Sequence, residues 1–141
     1  MAPNGKIPKS IELAVDVFLK IKSEVESKSI GPKLRQRARE IPELIESMGL
    51  IPALSYCFAK ANSSGDEAEP YKLYLRVILD YLHSLKFLEE DPEKAFNNSV
   101  ETIKKLYPIS SVVTPLLRPF LIEFKRLCEA TWKPLEKVKK V

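Results

Sequence analysis

The chain has 141 residues, 45% of them hydrophobic and 30% charged, with a formal net charge of +4. That is the length of one domain with an ordinary globular composition, enough to bury a single core. No apolar run approaches the roughly 20 residues that cross a bilayer, and the opening MAPNGKIPKS lacks the apolar stretch of a secretory signal, so the expected setting is cytoplasmic, with no membrane partner.

The glycines, Gly5, Gly31, Gly49 and Gly65, fall where the hydrophobic periodicity breaks, as punctuation does in a helical bundle. Residues 1–9 read as a disordered N-terminus. Ser10 is placed to cap a first helix, with Glu12 and Asp16 near its positive end. Ile11, Ala14, Val15, Phe18, Ile21 and Val25 form its apolar stripe at helical spacing, and the helix is expected to end near Lys28. Pro32 suits the first turn of a second helix, which buries Leu34, Ala38, Ile41, Ile45 and Met48. Pro42 inside it removes the N–H that would bond to the Ala38 carbonyl, so a kink is expected there. Gly49 then stops the helix. Pro52 fits the start of a third, running through Leu54, Tyr56 and Phe58 to Lys60.

The stretch NSSGDEAE, Asn62 to Glu69, is small, polar and acidic and reads as a loop. From Pro70 a fourth helix places Tyr71, Tyr74, Ile78, Tyr81, Leu82 and Leu85 on one face, with Lys72, Arg76 and His83 opposite. The run Glu89-Glu90-Asp91 marks the next boundary, and Pro92 and Glu93 suit a helix start. Phe96, Val100, Ile103 and Tyr107 make the stripe of that fifth helix. The last helix carries Val113, Leu116, Leu117, Phe120, Phe124 and Leu127. Pro115 and Pro119 place the start of its regular part only around Arg118, and the β-branched run Ile109–Thr114 is compatible with extended chain. Residues 134–141 read as a fraying basic tail. The pattern therefore predicts an all-α fold: one compact bundle of five to six helices over residues 10–133, kinked at Pro42.

Catalytic and metal-binding constellations are not found in the sequence. His83 is the single histidine, and it has no CxxC or HxxxH partner spacing with which to build a zinc site. Cys57 and Cys128 sit in apolar helical patterns as small core residues. There is no glycine-rich phosphate loop, and Glu89, Glu90 and Asp91 fall in a solvated turn. No cofactor, no metal and no enzymatic activity are expected.

Charge is unevenly spread: residues 61–103 hold 4 Lys/Arg against 9 Asp/Glu, whereas 104–141 hold 9 against 3. Such asymmetry suits either nucleic-acid contact at the basic end or acidic-on-basic docking of neighbours. Arg35 and Arg39 are four apart on the second helix and project together, with Arg37 flanking the other side of the stripe and Glu43 spaced to pair with Arg39. Lys72 and Arg76 repeat that spacing on the fourth helix, and Lys60 closes the third. Lys104, Lys105, Arg118, Lys125 and Arg126 recur on exposed positions of the C-terminal part. These ten, Arg37 and Glu43 apart, suit phosphate contacts made without reading sequence, and by spacing alone they suit salt bridges with nearby glutamates as well. Tyr71, Tyr74 and Tyr81 fall on the apolar stripe and read as core or subunit interface.

One segment is more specific. Ala38-Arg39-Glu40-Ile41-Pro42, then Gly49-Leu50, then Phe58-Ala59-Lys60 resembles the small all-helical subunit of type III-B CRISPR (Cmr) effector complexes. In that family an arginine-rich helix runs into an Ala-Arg-x-x-Pro-like step, a Gly-Leu turn and an apolar helix closing on Ala-Lys. YKLYLRVILDYL at 71–82 and LIEFKRLCEATWK at 121–133 are similar to later helices of the family, although Pro115 and Pro119 depart from the regular helix seen there. The resemblance implies a non-catalytic subunit whose copies stack as a minor filament beside other Cmr subunits. There they would line the channel where target RNA pairs with guide RNA, with the ten basic residues named above as the expected RNA-backbone contacts, cutting being done elsewhere in an antiviral assembly. The alternative is a small helical adaptor whose basic faces meet acidic protein partners.

Overall fold

In the computed structural model, which describes residues 8–136, the fourth helix is the axis of the fold. This helix, α4 (Ala68–Ser84), buries eleven residues, among them Tyr71, Leu73, Tyr74, Leu75, Val77, Ile78, Leu79, Tyr81 and Leu82. A helix apolar on nearly all sides has to be covered on nearly all sides. Four helices do so directly: α1 (Lys9–Ser27), α2 (Gly31–Met48), α3 (Leu50–Ala61) and α5 (Pro92–Asn97). The short α6 (Ser99–Leu106) rests on α3. Finally α7 (Ser110–Thr131), entered through a 3-10 turn at Tyr107–Ile109, packs between α1 and α2. It reaches α4 through aromatic rings. Phe120 stacks on Tyr81 at 4.0 Å, and Phe124 meets Tyr74 and Phe18 edge-on at 6.0 and 5.9 Å. No strand occurs among the described residues, and the fold is the all-α bundle expected, with six helices if α5 and α6 count as one interrupted helix.

Several local expectations are corrected. The first helix starts at Lys9 with Pro8 at its cap and no side-chain cap, so Ser10 does not fill that role. The Pro8 carbonyl already accepts from Ile11 and Glu12, both at 3.1 Å, and a fixed proline φ favours an early start. Val17 takes the core position given to Val15, and Met48 points outward. The second helix, as expected, carries on through Pro42 and ends at Met48. Gly49 then adopts φ 94°, a conformation that strains any side chain, and separates α2 from α3.

Further on, the fifth helix is broken at Asn98, which caps α5 at one end and α6 at the other. Thr102 Oγ1 donates to the Ala95 carbonyl at 2.8 Å across the break. The change of register buries Ala95, Thr102 and Leu106 and leaves Val100 and Tyr107 exposed, Tyr107 to 69%. The last helix begins at Ser110, not near Arg118, so Ile109–Thr114 is not extended. Both prolines lie on its exposed face, and the carbonyls deprived of a helical donor belong to Ser111 and Pro115, themselves exposed. Water serves such groups, which is why the helix tolerates them. The expected disordered stretch at 1–9 and fraying tail at 134–141 fall mostly on residues outside the described range.

Candidate nucleic-acid interface

Helices α2 and α7 run antiparallel, as their facing residues show: Gly31 by Trp132, Arg39 by Glu129, Glu46 by Arg118. Each turns an apolar stripe to the core, Leu34, Ala38, Ile41 and Ile45 on α2 and Leu117, Leu121, Phe124 and Cys128 on α7. Residues one step round each helix therefore line the seam between them at one-turn spacing. On α2 these are Arg35, Arg39, Pro42, Glu43 and Glu46, and on α7 Arg118, Ile122, Lys125 and Glu129.

Two ion pairs cross the seam. Arg118 Nε lies 2.5 Å from Glu46, and Arg39 Nε lies 3.5 Å from Glu129. Arg39 thus reaches across to α7 and does not pair with Glu43 along its own helix. A recess of about 150 Å³ lined by Pro42, Leu117, Leu121 and Ile122 lies beside the Arg118–Glu46 pair. Arg35 is the one arginine among the described residues with no carboxylate within ion-pair distance. It is half-buried, and its Nε is shielded from solvent without a partner. It sits close enough to Cys128 for its charge to oppose the upward push that burial and Glu129 give that thiol.

The other expected contacts do not join this seam. Arg126, one step off it, pairs with Glu123 at 3.8 Å. Lys72 and Arg76 lie along the α1–α4 rim, where Arg76 pairs with Glu24 at 3.6 Å and Lys28 bridges Glu24 and Glu69 at 2.9 and 2.7 Å. Lys105 is paired with Glu90, while Lys104 beside it is exposed and carries no ion pair among the described residues. Lys60, at the end of α3, holds its Nζ 5.6 Å from the centre of the Tyr56 ring. The structure sets Arg35, Arg39 and Arg118 along one seam, with Lys125 on the same face of α7 by helical spacing, and leaves Lys60, Lys72 with Arg76, and Lys104 with Lys105 on separate faces.

Arg37 is committed to the fold. Its side chain is only 15% exposed, its Nη1 donates to the Tyr71 hydroxyl at 3.0 Å, its guanidinium covers the Tyr71 ring at 4.9 Å, and Glu40 pairs with it at 3.1 Å. Tyr71, Tyr74 and Tyr81 are all buried. His83 places Nδ1 3.1 Å from the Leu88 carbonyl, so that nitrogen carries the proton and ties down the chain after α4. Burial pushes the Cys57 thiol up to about 12, with Arg37 opposing, so it stays protonated at neutral pH. Among the described residues no group of three His, Cys, Asp or Glu side chains is placed to hold a metal ion. None of the helices described is long and apolar enough to cross a membrane.

The residue that escaped the sequence reading is Tyr56. Counted with the third helix's apolar run, it is 42% exposed. The signal was available: Leu50, Ala53, Leu54, Cys57, Phe58 and Ala61 already complete a helical stripe without it.

These features define a class first: a small all-helical protein that displays charged seams and rims. Residues 10–108 match the family described as CRISPR-associated protein (Cas_Cmr5). The CRISPR system CMR subunit Cmr5 of Saccharolobus solfataricus (strain ATCC 35092 / DSM 1617 / JCM 11322 / P2) is 32% identical over 146 aligned positions, covering 86% of this chain and 92% of that one. Among solved structures, a chain of the type III-B Cmr-beta complex bound to cognate target RNA and AMPPnP superposes with a TM-score of 0.76 at 26% identity, over 87% of this chain and 96% of its own length. A chain of the Cmr-beta complex bound to non-cognate target RNA gives 0.75 at 26% identity, over 92% and 100%. The family match stops before α7, whereas the structural likeness is broad enough to reach into it. The chain belongs to the Cmr5 family, the small all-helical subunit of type III-B CRISPR effector complexes.

Proposed function

We propose that this chain is a non-catalytic subunit of a cytoplasmic type III-B effector complex. In this reading its copies stack as a minor filament beside the other Cmr subunits, and its α2–α7 seam meets the backbone of target RNA paired to the guide RNA. The observation that carries the reading is Arg35, unpaired and half-buried, in line with Arg39, Arg118 and Lys125 along one groove. Cations at one-turn spacing meet successive phosphates without reading bases, and base pairing supplies the sequence choice. The cross-seam ion pairs do not stand in the way. Exposed pairs are worth only about 0–1 kcal/mol, so Arg39 and Arg118 exchange a carboxylate for a phosphate at little cost. Lys60, Lys72, Arg76, Lys104, Lys105 and Arg126, on other faces, are available to further RNA or to neighbouring subunits. The relatives in solved structures are parts of complexes bound to target RNA, which supports this assignment over an adaptor for acidic proteins.

The test is Arg35→Ala with Arg39→Ala in the assembled complex. We expect assembly to be retained, target-RNA affinity to fall, and the log–log salt slope to drop by about one unit per lost contact, equally for different target sequences. Failure of assembly with unchanged RNA affinity in whatever complex forms would instead favour the adaptor reading.

A further inference from the structure

The outer face of α3 carries one large side chain on a field of small ones. Tyr56 is 42% exposed, and the residues around it on the helix, Pro52, Ser55 and Ala59, are short and exposed. The one long neighbour is Lys60, a turn away, with Nζ 5.6 Å from the ring centre and no ion pair among the described residues. From behind, the ring is braced. Tyr71 meets it edge-on at 6.1 Å with the planes at 77°. Tyr71 is in turn fixed by the Arg37 hydrogen bond and by the guanidinium over its ring, and Arg37 is held by Glu40, which accepts from Gln36 at 2.8 Å. An exposed aromatic ring is thereby anchored through α4 and α2.

We propose that Tyr56 is a stacking platform for an unpaired RNA base, with Lys60 taking the adjoining phosphate. This deepens the RNA-contact reading above and rests on it. Every base offers a π-face, so an anchored ring beside a free cation binds single strands without sequence choice. Lys60 is the flexible end of its side chain, and an exposed cation–π contact is weaker than a base–aromatic stack, so the ammonium swings aside to the phosphate as the base enters. The surroundings favour RNA over a protein partner. A protein hot spot sits in a well-packed pocket closed off from water, whereas Pro52, Ser55 and Ala59 are too short to enclose the ring and a cation stands beside it. Bracing matters because a ring already held in place loses little freedom on binding.

The experiment uses the full chain and two labelled probes at low salt: a single-stranded oligoadenylate, and the same ribose–phosphate strand without bases. Binding is read by fluorescence anisotropy. Tyr56→Leu is expected to weaken oligoadenylate binding roughly 5- to 150-fold and to leave the abasic strand unchanged, while Tyr56→Phe keeps wild-type affinity. Lys60→Ala should weaken both strands alike. Equal losses on both strands for Tyr56→Leu, or no loss at all, overturn the stacking inference. If the Arg35/Arg39 variant still loses target RNA in the assembled complex, the broader reading survives that outcome. If that variant also binds normally, both fall together.

Discussion

Replacing Gly31 by alanine probes how the start of α2 is locked to the end of α7. A Cβ at Gly31 would sit 2.5 Å from both Cδ1 and Cγ of Trp132 and 2.8 Å from its Nε1, well inside contact distance. The indole has little room to retreat. Its ring lies 5.2 Å from that of Phe18, and its Nε1 donates to Glu26 at 3.3 Å. Forcing a methyl into such a contact costs about 1–3 kcal/mol, and alanine in place of glycine in a helix offsets about 0.5–1 of that. The net expectation is a destabilisation of about 1–2 kcal/mol, or about 3–7 °C of Tm for a domain of this size. The sign should reverse when Trp132 is first changed to alanine. With the ring gone, Gly31→Ala becomes neutral or stabilising by up to about 1 kcal/mol, so the two sites couple by about 1–3 kcal/mol. Urea unfolding followed by circular dichroism on the four variants of this cycle measures the coupling. Trp132 is the single tryptophan, so its emission reports independently on the same junction in Gly31→Ala. An equal cost for Gly31→Ala with and without Trp132 would refute the contact. The result bears on the proposed RNA contact, because Glu129, the partner of Arg39, lies within a turn of this lock.

Two further predictions concern the core and the α1–α4 rim. The Tyr74 hydroxyl is fully buried without a hydrogen-bond partner, and burial pushes it well above its ordinary value. Tyr74→Phe keeps the ring and removes the orphaned group, so it should be neutral or stabilising by about 1 kcal/mol. A loss above that size in the urea midpoint would reveal a partner for the hydroxyl. On the rim, the hydrogen bond from Lys28 holds Glu24 below its ordinary 4.5, with burial opposing and the charges of Lys28 and Arg76 assisting. A carboxyl lowered in the folded state contributes stability above its unfolded value and loses it as pH falls through the folded one. The difference in stability between wild type and Glu24→Gln should therefore shrink from about pH 6 to about pH 2. An unchanged difference would show that the ion-pair network contributes nothing.

The helical inventory was legible because its breaks are chemical. Gly49 marks the α2–α3 turn, and Asp91 caps α5 by accepting from the Lys94 N–H at 2.9 Å. The start of α7 was misread because a proline's cost depends on whether the carbonyl it frees meets water. That depends on tertiary placement, which Pro115 and Pro119 do not display in sequence. The break at Asn98 was hidden for a related reason: Phe96, Val100, Ile103 and Tyr107 keep helical spacing, and the bond from Thr102 to Ala95 that accompanies the other register does not show in that pattern. In the seam, the joint projection of Arg35 and Arg39 follows from their spacing alone. Their relation to Glu129 and Cys128 does not, since those residues belong to a helix far along the chain.

Half of the expected RNA contacts are already neutralised within the molecule: Arg39 by Glu129, Arg76 by Glu24, Lys105 by Glu90, Arg118 by Glu46 and Arg126 by Glu123. In the RNA-contact reading proposed above, a phosphate approaching these groups has to displace a carboxylate, so each such exchange would gain somewhat less than contact at an unpaired cation such as Arg35 or Lys60. Copies arranged in series change the arithmetic. Once one contact forms, the next strand segment is presented at high effective concentration, and many small gains multiply. If copies stack and meet RNA as proposed, the internal carboxylates would act as a threshold that a long, aligned strand crosses more readily than a stray one.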